Sequence, residues 1–168
     1  MARFLIPYRF GGKTRLGDAD LALAMLKDVT DAINALGEEA LIVDGPGGQG
    51  EDVVRALATL PGPVTIVNGD LPCVTPDELE ELTKHAPAIV AARDGTTNAI
   101  AITDRATFAP LYGPGSAARF AEHLGAERLA LPGIRDDVDT WADLERVRDR
   151  VGKNTRRYLA ELERSRAS

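Results

Sequence analysis

Val64-Thr65-Ile66-Val67-Asn68-Gly69-Asp70-Leu71-Pro72, followed closely by Thr75-Pro76-Asp77-Glu78, contains a strand, a turn and a helix start. The run 64–67 is compact and rich in β-branched residues, as expected of a strand covered on both faces. Thr75 and Glu78 have capping-box spacing, and Pro76 falls at the first helical position, so a helix begins there. Phe4-Leu5-Ile6 and Leu41-Ile42-Val43 are two similar runs on the N-terminal side. Between them Leu21, Met25, Leu26, Val29, Ile33 and Leu36 recur at helical spacing, with Asp18 as N-cap and Gly37 as the stop. A second helix, over 51–60, separates the second and third runs. This alternation predicts two βαβ units with parallel strands and right-handed crossovers.

Past the third helix, Ala88–Ala92 and Asn98–Ile102 read as strands joined by the short turn 93–97, hence antiparallel. Ser116–Leu124 reads as a helix stopped by Gly125, and 128–131 as a short last strand. Thr140 caps a further helix through Asp143, and a final one follows Gly152. The expected fold is a three-layer α/β/α sandwich around a mostly parallel mixed sheet. Residues 1–168 are expected to form one domain, with 153–168 as a basic C-terminal helix.

The 168 residues are 44% hydrophobic and 27% charged, enough for one core without a disulfide or metal staple. A net charge of −6 disfavours nucleic acid as a partner, since binding phosphates requires a basic footprint. Charge is uneven: residues 146–168 carry eight basic and three acidic groups, a balance of +5. The apolar positions Tyr158, Leu159 and Leu162 in that tail leave a homodimer open. Lone Cys73 excludes a disulfide framework and a cysteine zinc site, and suits the cytoplasm. No apolar run approaches the ~20 residues of a membrane span, and the opening apolar stretch is too short for a signal peptide.

Two motif matches fail on physical grounds. Gly45-Pro46-Gly47-Gly48-Gln49-Gly50 fits the dinucleotide fingerprint, yet Glu51 and Asp52 place two negative charges where a pyrophosphate would rest. Gly12-Lys13-Thr14 resembles the end of a P-loop, but Pro7 stands where the first glycine is needed and offers no N–H. Both loops nevertheless follow strands, and open α/β sheets bind ligands outside the carboxyl ends of their strands.

Four segments at such positions carry chemistry. Lys13-Thr14-Arg15 offers two cations and a hydroxyl to a triphosphate. Asp70 stands at a strand end, and in Asp136-Asp137-Val138-Asp139 an extended backbone points Asp137 and Asp139 the same way. Asp70, Asp137 and Asp139 together suit Mg²⁺, which takes few protein carboxylates and leaves room for phosphate oxygens. Thr96-Thr97-Asn98 with Gly113-Pro114-Gly115-Ser116 supplies hydroxyls and a glycine-opened helix for a small anion. Each also has an ordinary reading, as turn residues or caps. His85 and His123 read as helix C-terminal residues, Trp141 as a packing anchor, and Cys73 as a packed side chain.

Ile6-Pro7-Tyr8, Lys13-Thr14-Arg15-Leu16, Gly69-Asp70-Leu71-Pro72, Thr96-Thr97-Asn98-Ala99, Tyr112-Gly113-Pro114-Gly115-Ser116 and Asp137-Val138-Asp139-Thr140 come in one order. In that order they resemble the 2-phospho-L-lactate guanylyltransferase family, which has the nucleotide-diphospho-sugar transferase fold. The resemblance implies transfer of GMP from GTP to a phosphorylated three-carbon acid, with release of pyrophosphate, in coenzyme F-420 biosynthesis. It implies that Thr97, Gly113 and Ser116 hold the acceptor. Asp70, Asp137 and Asp139 would bind Mg²⁺, and Lys13 and Arg15 would meet the triphosphate, with Lys13, Arg15 and Asp70 catalytic. The loop bearing Gly48, Gly50 and Asp52 would face the base. Here that loop departs from the family's Gly-x-Gly-Leu-Asn pattern, and the Asp52 carboxylate is a candidate acceptor for guanine's N1–H and N2–H. A related nucleotidyltransferase with another acceptor, a P-loop kinase and a non-catalytic GTP-binding relative are the competing readings.

Overall fold

The computed structural model describes residues 3–9 and 15–168, with Arg3 in backbone only. Strand β1 (Arg3–Pro7) leads through helix α1 (Ala19–Asn34) to β2 (Ala40–Val43), and α2 (Gln49–Leu57) leads on to β3 (Val64–Val67). Helix α3 (Pro76–Lys84) precedes the pair β4 (Ala88–Ala91) and β5 (Thr97–Ile102). There follow α4 (Ser116–Leu124), β6 (Glu127–Arg128), α5 (Pro132–Arg135), α6 (Trp141–Val147) and α7 (Lys153–Ala167), with 3₁₀ turns at Arg105–Thr107 and Arg148–Arg150. No helix among the described residues is long and apolar enough to cross a membrane.

The six strands form one sheet in the order β2-β1-β3-β5-β4-β6. All neighbours are parallel except β5, which runs against both β3 and β4, so the mixed sheet follows the short 93–97 turn as expected. Side chains alternate between two cores, as the pleat requires. Phe4, Ile6, Val90, Ala99 and Ala101 pack with α1 and α3 residues such as Leu26, Val29 and Leu79. Leu5, Ile66, Ile89, Ile100 and Ile102 pack on the other face with Val53 of α2 and Phe120 of α4. Burying this apolar surface supplies most of the driving force for folding.

A third cluster joins Leu21 and Met25 of α1 to Leu144, Val147, Val151 and Leu159, so α6 and α7 form an outer layer on α1. The N-terminus of α7 is capped from another helix. The Asp28 carboxylate accepts from Asn154 N at 2.9 Å and Thr155 N at 3.1 Å, satisfying two orphan donors. Gly152 allows that approach, because a Cβ there would stand 2.5 Å from the Asp28 carboxylate.

Local signals place most boundaries. Asp18 accepts from Leu21 N, Thr75 and Glu78 form the capping box with Pro76 in the first turn, and α4 ends at left-handed Gly125. Strands β4 and β5 shift by one residue at the turn between them, and the larger differences fall at α2 and the last strand. Helix α2 begins at Gln49, two residues early, and ends at Leu57. The last strand is Glu127–Arg128; Leu129 N still donates to Ile89 O, but Pro132 then opens the short α5.

Candidate active site

The chain runs from β1 to β2 on one side and returns past β1 to β3 on the other, which leaves a crevice at the carboxyl ends of these strands. A cleft of about 840 Å³ lies there, lined among others by Tyr8, Arg15, Asp44, Gly48, Gln49, Asp52, Asn68, Asp70 and Asp139. Its size is that of a small-ligand site.

Asp70 and Asp139 line the cleft, and Asp137 converges with them, each of the three offering an oxygen within 4.8 Å of the others. Strand β3 delivers Asp70, and the hydrogen bond from Val138 N to Asp70 O, at 3.0 Å, fastens the second segment beside it. That segment alternates as an extended chain does. Asp136 and Val138 turn inward, to 0% and 1% exposure, so Asp137 and Asp139 share the opposite side. Burial, then the charges of Asp137 and Asp139, push the Asp70 carboxyl well above the usual range. Asp137 is raised to about 6, chiefly by burial. Asp70 Oδ1 is buried and has no hydrogen-bond partner among the described residues. Three converging carboxylates with an unpartnered buried oxygen form a donor set that fits a hard divalent cation.

Arg15 lies at the mouth of the cleft, close enough to Asp94 to hold that carboxyl down alongside the Thr96 hydrogen bonds. Lys13 lies outside the described residues. In the loop expected to face the base, Asp52 is buried and its Oδ1 accepts from Gly47 N at 3.3 Å and pairs with Arg55 at 3.1 Å. Gly48 opens α2 and lines the cleft with Gln49, whereas Gly50 turns toward Pro110, where a Cβ would stand 2.7 Å from the proline ring. The residues expected to hold the acceptor also come together. The Thr97 and Ser116 hydroxyls, both buried, lie 2.8 Å apart, and Gly113 and left-handed Gly115 lead into α4 beneath them. Arg119 braces that loop by donating to Pro114 O and Leu111 O.

Sequence reasoning missed an amide chain. Gln49 donates to Asn68, Asn68 to Asn98, and Asn98 to Asp137. The available signal was a polar residue opening the apolar run Asn98-Ala99-Ile100-Ala101-Ile102, because a buried amide requires partners. It also missed Asp136 as an anchor, fully buried between Arg93, Arg135 and Arg150. Cys73 and His85 behave as read: burial pushes the Cys73 thiol up to about 11, and His85 closes α3 between Glu81 and Glu127. Trp141 is not the packing anchor expected: its side chain is exposed at the start of α6, held by the ring N–H donating to Leu16 O at 3.1 Å.

This sheet order, with an acidic triad at its ligand edge, is that of the nucleotide-diphospho-sugar transferase fold. Solved structures agree on the fold: a protein from Desulfovibrio desulfuricans G20 assigned to those transferases superposes with a TM-score of 0.63 at 18% identity, over 94% of this chain and 97% of that one. A CMP:2-keto-3-deoxy-manno-octonic acid synthetase in complex with CTP does so at 0.53 and 15%, over 88% and 97%. No protein-family model matches the chain. Among curated proteins, a phosphoenolpyruvate guanylyltransferase of Nocardia farcinica is 34% identical over 89% of this chain and 86% of its own length. One from Mycobacterium marinum is 32% identical over 87% and 74%. The chain belongs to the phosphoenolpyruvate guanylyltransferase family.

Proposed function

We propose that this guanylyltransferase takes GTP as donor and a phosphorylated three-carbon acid as acceptor: phosphoenolpyruvate, 2-phospho-L-lactate or 3-phosphoglycerate. The product would be a guanylylated acid that feeds coenzyme F-420 biosynthesis. The carrying observation is the Asp70–Asp137–Asp139 triad at a nucleotide-sized cleft, with one buried oxygen that no described residue pairs. In the reaction an acceptor phosphate oxygen attacks the α-phosphorus of GTP in line. The new O–Pα bond forms as the bond to the β-phosphate oxygen breaks, and pyrophosphate leaves with the electron pair. A phosphate monoester, with its second pKa near about 6, is already largely ionised at neutral pH, so no protein base is required.

Mg²⁺, held by the triad, would supply charge neutralisation at the phosphates. The chain's own residues position and neutralise. Arg15, at the mouth of the cleft, faces the triphosphate, Lys13 is the second cation the sequence offers it, and Thr97, Gly113 and Ser116 hold the acceptor. Asp52, with Oδ1 engaged by Gly47 and Arg55, keeps Oδ2 as the atom to take guanine's N1–H and N2–H. On that reading, Asp52→Ala should lower the kcat/KM preference for GTP over ATP by about tenfold or more. An unchanged ratio in steady-state assays would remove Asp52 from base selection.

Pyrophosphate release tests the whole reading, measured with Mg²⁺, each of the four nucleoside triphosphates and each of the three acids. Release should require GTP and one acid together. ADP or GDP in place of pyrophosphate would indicate a kinase, and silence with every pair would overturn the reading.

A further inference from the structure

The Asn98 side chain, at 3% exposure, holds its NH₂ group within hydrogen-bond distance of three acceptors that share its two hydrogens: Ile134 O at 2.8 Å, Arg135 O at 3.0 Å and Asp137 Oδ1 at 3.2 Å. It therefore ties strand β5 to the turn that launches the acidic segment and touches the acid itself. The opposite amide orientation would aim its carbonyl at three oxygens, so the orientation matters. Asn68, at the end of β3, supports it by donating to Asn98 Oδ1 at 3.4 Å and to Thr97 O at 3.2 Å. Gln49 in turn donates to Asn68 Oδ1 at 2.9 Å. All three amides point their donors the same way, from the first residue of α2 toward the triad, and successive bonds of one sense polarise each other.

We propose that Asn98 is the positioning residue for Asp137, and that Asn68 and Gln49 hold it in register from the nucleotide side of the cleft. With Asp137 Oδ1 engaged by the amide, its second oxygen is left for the cation. This rests on the triad's role as a divalent-cation site. Groups that orient metal ligands change metal affinity by about 10–100-fold when removed.

Metal binding without nucleotide is the readout, measured as free Mn²⁺ by electron paramagnetic resonance on the full chain well below its unfolding temperature. Asn98→Leu should weaken Mn²⁺ binding about tenfold or more, and Asn68→Leu about threefold or more. A merely structural role would lower the melting temperature of the variants and leave the Mn²⁺ affinity of the folded protein alone. Should Asn98→Leu not fold, Asn68→Leu decides, because it leaves all three acceptor contacts of Asn98 in place. Wild-type binding matched within twofold by every folded variant overturns the positioning role while the triad stands. No Mn²⁺ binding by the wild type overturns the triad, and this inference with it.

Discussion

Asp70→Asn is expected to reduce guanylyl transfer by about a thousandfold and, in the same preparation without metal, to raise the unfolding midpoint. The two effects have one origin. In the metal-free protein Asp70 suffers burial and repulsion from Asp137 and Asp139, and its Oδ1 has no partner among the described residues. Its folded-state pKa is raised, so the folded protein prefers the protonated form. Ionisation therefore destabilises the fold increasingly as pH rises above the ordinary carboxylate value near about 4. An amide of the same shape removes that repulsion and presents donors to the two remaining acids. The gain in midpoint should accordingly be larger at pH 7 than at pH 4. Activity moves the other way, because the neutral side chain no longer contributes charge for binding a hard cation. Pyrophosphate-release kinetics and urea melts at both pH values check it. Near-normal turnover would sink the catalytic assignment, and a lowered midpoint at pH 7 would sink the account of strain among the three acids.

What the sequence discloses and what it conceals divide along chain separation. Thr75-Pro76-Asp77-Glu78 could be read correctly because every partner in a capping box lies within four residues. Asp137 and Asp139 were placed on one side by the alternation of an extended chain, a rule that needs no knowledge of neighbours. Asn98 illustrates the opposite case. Its amide partners come from Asn68, 30 positions earlier, and Asp137, 39 later, which meet only because β3 and β5 are adjacent in the sheet. The cap on α7 spans 126 residues, from Asp28 to Asn154. Gly50 is instructive as well: within its glycine loop it suggests nucleotide contact, while the fold brings Pro110 against it. Propensity and spacing report local geometry, and packing between distant segments decides which polar groups are buried together.

Removing the carboxylate at position 136 should give the largest loss of stability. Asp136 is fully buried, with Oδ1 2.9 Å from Arg93 Nε and 2.8 Å from Arg135 Nε, and Oδ2 2.5 Å from Arg150. These arginines come from the β4–β5 turn, the end of α5 and the 3₁₀ turn before α7, so one side chain joins three segments. Burial alone would raise this carboxyl, but the hydrogen bonds from Arg135, Arg150 and Arg93 outweigh it and hold the group well below the ordinary range. Breaking a wholly buried pair costs about 3–5 kcal/mol; here the arginines are roughly half exposed and can rehydrate, so Asp136→Asn is expected to cost about 2–3 kcal/mol at pH 7. The pH dependence has a definite sign. A carboxyl whose folded pKa is depressed contributes fully above its unfolded value, near about 3.9, and that contribution is lost as pH falls toward the folded value. The gap between wild type and Asp136→Asn in urea unfolding should therefore be constant from pH 7 to about 5 and narrow below about 4. A gap under about 1 kcal/mol at pH 7, or one that widens in acid, would mean the three arginines are held by something other than this carboxylate. The same anchor bears on the site, because with Asp136 fixed inward the alternating backbone leaves Asp137 and Asp139 to face Asp70. Asp136→Asn should thus also weaken turnover, although its side chain is turned away from the triad.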